Sequence, residues 1–133
     1  MNSLEKFTVY RKSIELLAMV YQIIERLPRG HATLSDQLKR SVLSVCLNIA
    51  EASGRVSVSE KRQHFTIARG SALESFAAIE VCRVINIIDE SSFVLAKDLL
   101  EEIIAILSVL SREKRAVKVE ARVKAQAQVE GQD

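Results

Sequence analysis

From Ser41 to Glu51 the polar residues Ser41, Ser44, Asn48 and Glu51 stand three, four and three apart, and every residue between them is apolar. On an α-helix that spacing draws one narrow polar stripe along a rod otherwise coated in Val, Leu, Ile, Cys and Ala. A surface helix shows the reverse, a limited apolar stripe on a polar rod. This helix is therefore walled in on several sides, or it presents its stripe to something specific.

The rest of the chain is helical too. One Pro, four Gly and no Trp in 133 residues, 48% of them hydrophobic, point to an all-α protein large enough to bury a core. A first helix is predicted over residues 8–27. Its core seam is Phe7, Tyr10, Ile14, Leu17, Tyr21 and Ile24, widened by Leu16, Val20, Ile23 and Leu27. Pro28 and Gly30 break it. Ser35 is the expected N-cap of the second helix, and Gly54 its left-handed terminator. Ser59 is expected to cap a third helix over 60–89, with Gly70 in its middle marking close approach of a neighbouring backbone. A fourth helix is expected over 94–112, with Leu99, Ile103, Ile106 and Leu110 inside. Short connections force antiparallel neighbours, which makes residues 1–112 an up-down-up-down four-helix bundle. Residues 113–133 form a polar tail, helical or frayed.

The third helix repeats the opening anomaly. Between Phe76 and Ile88 only Glu80, Arg83 and Asn86 are polar. A bundle buries about one face of each helix, so both helices carry an apolar surplus beyond what a monomer exposes. Self-association into a homo-oligomer relieves it.

Charge is spread evenly over the bundle. Residues 1–111 hold 13 basic and 13 acidic side chains, whereas residues 112–133 hold six and four. The N-terminal Met-Asn-Ser-Leu-Glu-Lys lacks an apolar signal core, and no run approaches the ~20 apolar residues of a membrane span. Cys46 and Cys82 lie in apolar helical runs, as reduced structural thiols do. A soluble, cytoplasmic protein without membrane contact is expected.

No catalytic motif, metal-ligand set or cofactor fingerprint stands out. His31 and His64 lack ligand partners at metal spacing, and the pair Glu60 and His64 has no counterpart. The stripe Ser41, Ser44, Asn48, Glu51 reads either as a solvated strip or as a polar junction with the third helix. In the second reading Asn48 and Glu51 are buried, with Asn48 opposite His64 and Glu51 opposite Lys61, Arg62 or Arg55. Ser71 and Glu74 beside Gly70 suit close packing with local polar contacts.

Several motifs resemble the four-helix-bundle proteins encoded within intervening sequences of bacterial 23S ribosomal RNA genes. Gln37, Arg40, Ser44, Asn48, Ile49, Ala50, Glu51, Gly54 and Arg55 match that family's central pattern. Phe65, Ala68, Gly70, Ser71, Leu73 and Glu74 resemble its downstream segment, and Lys6–Lys12 its opening one, with Tyr10 where Trp is common. Cys46 and Leu47 replace a usual Pro-Ser, and Ala52 a usual Gly. The resemblance implies a ring-like homo-oligomer, a pentamer, with no settled activity. Relatives that serve diversity-generating retroelements are basic rings binding reverse transcriptase and nucleic acid. The expected function is a non-enzymatic scaffold or adaptor. The alternative is RNA or DNA binding through Lys39, Arg40, Arg55, Lys61 and Arg62 on a basic rim.

Overall fold

A computed structural model of the protein describes residues 3–112 and 114–131, all-α with no strand among them. Five helices follow one another: α1 (Ser3–Arg26), α2 (Ala32–Gly54), α3 (Val58–Val84), α4 (Glu90–Leu110) and α5 (Lys114–Glu130). Each of α1 to α3 packs on the next and α4 returns to α1, so four helices close around one core. Among the described residues α5 makes no contact with them. No helix there is long and apolar enough to cross a membrane.

The helix ends differ from expectation in ways the backbone explains. α2 begins at Ala32, and Ser35 lies inside its first turn, its N–H donating to the His31 carbonyl at 3.0 Å. Gly54 stays helical and the chain leaves through extended Arg55, so the only left-handed glycine among the described residues is Gly30 (φ 98°). Ser57, not Ser59, caps α3 by accepting from the Glu60 N–H at 3.4 Å. α3 stops five residues short of the predicted 89, because Asn86 adopts φ 61°. The Ile87 N–H then reaches the Cys82 carbonyl and the Asn86 N–H that of Arg83, both at 3.0 Å. This is a Schellman ending, with Asn in the position that usually takes Gly. α4 starts at once, since Asp89 accepts from the Ser92 N–H at 3.1 Å and from the Ser91 and Ser92 hydroxyls, each at 2.6 Å.

Those hydrogen bonds hold the Asp89 carboxyl well below the usual carboxylate range. The cap therefore contributes fully above the ordinary value near 3.8 and is lost as pH falls through the lowered one.

Core packing corrects one expectation more deeply. Leu16, Val20, Val45, Ile49, Phe65, Leu100, Ile103 and Leu107 are wholly buried, and each such side chain contributes ~1.5–3 kcal/mol relative to exposure. On α1, however, the inward track is Val9, Ser13, Leu16, Val20 and Ile23. Of the predicted face, Leu16, Val20 and Ile23 are buried and Leu17, Ile24 and Leu27 pack partly against the core, whereas Phe7 (60% exposed), Tyr10 (40%), Ile14 (42%) and Tyr21 (41%) face outward. Both tracks repeat at threes and fours, about 100° apart around the helix. Ser13 interrupts the inward one and so disguises it. Burying Ser13 is tolerable because its hydroxyl donates to the Tyr10 carbonyl at 2.6 Å, while its own carbonyl accepts from the Cys46 thiol at 3.2 Å.

Candidate functional site

The stripe on α2 meets a matching row of hydroxyls on α3. Ser75, fully buried, donates toward the Ser41 hydroxyl (2.8 Å) and the Ser71 carbonyl (2.9 Å), and Ser41 reaches the Leu38 carbonyl at 3.3 Å. One turn on, the Ser44 and Ser71 hydroxyls sit 2.7 Å apart. The Asn48 amide donates to the Ser44 carbonyl (2.9 Å) and hydroxyl (3.2 Å), leaving its Oδ1 to accept from His64 Nδ1 at 3.1 Å. That arrangement selects the Nδ1–H tautomer of His64. At the other end Gln37 Nε2 donates to Glu74 Oε1 at 3.1 Å. The pairs 37 with 74, 44 with 71 and 48 with 64 descend one helix as they climb the other, so α2 and α3 run antiparallel.

The predicted polar junction therefore forms for Ser41, Ser44 and Asn48. Glu51 does not join it. Its side chain is 55% exposed and pairs with Arg55 at 3.1 Å rather than with Lys61 or Arg62. The cause is rotational: a three-residue step falls about 60° short of a full turn, and the step from Asn48 to Glu51 swings the carboxylate past the seam. An exposed i,i+4 pair of this kind adds only ~0.3–0.5 kcal/mol.

Gly70 also departs from expectation. It is exposed, and a Cβ there would meet nothing within 4 Å. Among the described residues no backbone approaches it, because it lies on the outward side of α3 while Ser71 and Ser75 face α2. Gly70→Ala is accordingly expected to raise the stability of the single chain by ~0.5–1 kcal/mol. Urea denaturation checks this, and a loss of stability would contradict the open space around the residue.

The five basic candidates separate. Arg55 follows the α2 C-terminus, and Lys61 and Arg62 lie in the first turns of α3 at the same end. Lys39 and Arg40 sit about 22 Å back along α2. A residue not anticipated joins the first group: Lys6, near the α1 N-terminus. Its ammonium is held below the ordinary lysine value by burial first, then by the charge and hydrogen-bonding proximity of Lys61. Arg62 Nε is buried without a partner among the described residues. Ser75, also not anticipated, was legible in part. Ser75 stands four residues after Ser71, a helical spacing that marks it as part of the ladder. Lys6 carries no such signal, since only the tertiary fold brings it to Lys61.

Burial pushes the Cys46 and Cys82 thiols up, as for inert packing residues. Among the described residues no group of three or more His, Cys, Asp or Glu is placed to hold a metal ion. The Lys12–Glu102 pair between α1 and α4 and the Arg69 Nε bond to the Ser108 hydroxyl at 2.8 Å fasten the remaining helices.

No curated protein matches the chain. Among solved structures it is similar to a protein of unknown function from the S23 ribosomal protein family of Bacteroides thetaiotaomicron, 22% identical, with a TM-score of 0.73. The likeness covers 79% of this chain and 99% of that one, and it shows a shared fold. The model of the 23S rRNA-intervening sequence proteins matches residues 5–109, which span α2, α3 and the whole polar ladder, and the chain belongs to that family.

Proposed function

We propose that this protein is a non-enzymatic scaffold or adaptor that acts by assembling with itself. In this reading the chain is an up-down-up-down bundle in the reducing cytoplasm, and its copies close into a ring, a pentamer. The observation that carries it is the apolar surface left over once the core is full. Besides the α1 seam, Leu47 of α2 is 55% exposed, and Val81 and Val84 of α3 are 46% and 82% exposed. The polar groups of the α2–α3 seam are spent on one another, which suits a structural role. Light scattering is expected to give a multiple of 14.8 kDa. Val81→Glu, which places a charge in that surface, is expected to shift the mass towards smaller species. A wild-type monomer at all concentrations would overturn the reading.

A second reading has its own support in the gathering of Lys6, Arg55, Lys61 and Arg62 at one end of the bundle. Assembly would multiply these groups into a positive rim able to hold RNA or DNA phosphates. Binding to a structured RNA is then expected at low salt, weakening steeply as salt rises. Lys61→Gln should flatten the salt slope by about one unit per contacting copy. Absence of binding at low salt would remove this reading and leave the scaffold untouched.

A further inference from the structure

Two outward seams with opposite shapes lie on helices that do not touch each other. On α1 the seam Phe7, Tyr10, Ile14 and Tyr21 is bulky, three of its four side chains being aromatic. On α3 the residues Ile67, Gly70, Glu74, Ala77, Val81 and Val84 recur at threes and fours and are all exposed, with the small Gly70 and Ala77 on either side of Glu74. Helices mesh when large side chains on one enter hollows on the other. An α1 seam against another α1 seam sets ring on ring. Two α3 seams leave voids at Gly70 and Ala77. The bulky seam fits the small one.

Charge gives the same match and adds a direction. Arg11 borders the N-terminal half of the α1 seam, whereas Glu74 and Glu80 stand on the C-terminal half of α3. Antiparallel contact brings these opposite charges together. It also carries Glu25, at the far end of α1, towards the positive N-terminal end of α3. Gly70 thereby gains a use: with its Cβ space empty, it is where a ring from another copy can sit against the helix.

We infer that the occupant of the α1 seam is the α3 outer face of a second copy, paired antiparallel and head to tail. This rests on the self-association proposed above and specifies its surfaces. A head-to-tail contact repeats, and it closes only if the two faces are not diametrically opposed. The α1 seam leans towards α2, since Tyr10 and Leu17 flank the Ser13 that meets Cys46. Successive copies therefore turn towards one another instead of extending in a line.

The test uses two blocked variants of the full chain, Phe7→Glu with Ile14→Glu and Val81→Glu with Val84→Glu, each checked for helicity. Each alone is expected to fall to the monomer mass. Mixed, each supplies the face the other lacks, so a 1:1 dimer of twice that mass is expected and nothing larger. Oligomeric wild type with either variant retaining the parent mass, or with a mixture that stays monomeric, would overturn the pairing while leaving self-association standing. Monomeric wild type would overturn both. If a double variant misfolds, Phe7→Glu and Val84→Glu, at positions 60% and 82% exposed, serve as the pair with the same expected outcomes.

Discussion

Phe65→Ala is expected to cost about 3–5 kcal/mol, the largest loss from any single truncation in this chain. Phe65 is the bulkiest fully buried side chain, one residue beyond the His64 that bonds Asn48. Its ring faces a core already closed by four helices, and neighbouring backbone cannot collapse into the space without breaking their packing. Domain stability is ~5–15 kcal/mol in total, so the loss is a large share of it. With a urea slope of ~1–3 kcal/mol/M, the denaturation midpoint should fall by about 2 M. A shift of less than about 0.5 M would mean the site relaxes freely and does not anchor the core.

Ser75→Leu is expected to be nearly as damaging, for a different reason. The hydroxyl is wholly buried between α2 and α3, and Leu adds two heavy atoms and a branch where the helices are close enough to bond through serines. Overpacking of this kind costs ~1–3 kcal/mol, and losing the hydrogen bond that Ser75 donates to the buried Ser41 hydroxyl adds about 1 kcal/mol. Ser75→Ala separates the two contributions, because it removes the hydroxyl without adding volume and should cost only ~1 kcal/mol. Equal midpoints for the two variants in thermal or urea denaturation would contradict close packing at the seam.

Much of this architecture was legible because helical periodicity survives without tertiary knowledge. Spacing alone places Leu99, Ile103, Ile106 and Leu110 inside α4, and three of them are buried while Ile106 packs partly against the core. The polar stripe was visible for the same reason. What spacing could not do was choose between two apolar faces of one helix. On α1 both tracks repeat at helical intervals, the outward one has the larger side chains, and the inward one is interrupted by Ser13. Helix ends failed more locally. Ser35 and Ser59 are good capping residues, yet His31 and Ser57 occupy those positions because the neighbouring helices fix where each chain turn must fall. Asn86 ended α3 through a left-handed conformation that Gly adopts more often, and no glycine stood there to announce it. Glu51 belongs to the stripe by spacing, but spacing leaves open whether it is solvated or buried, and the structure gives it the solvated place beside Arg55.

The hydroxyl ladder between α2 and α3 also bears on how this hairpin finds its alignment. A serine hydroxyl both gives and takes a hydrogen bond, so one rung substitutes readily for another. Sliding α3 by one turn would set Ser75 against Ser44, hydroxyl again on hydroxyl, and Ser71 against the Asn48 amide, which can also bond it. The serines are thus an evenly graduated scale that marks distance without naming zero. Zero is named most firmly at the Gln37 end, because one turn along α3 on either side of Glu74 stand only Gly70 and Ala78, which offer the Gln37 side chain no partner.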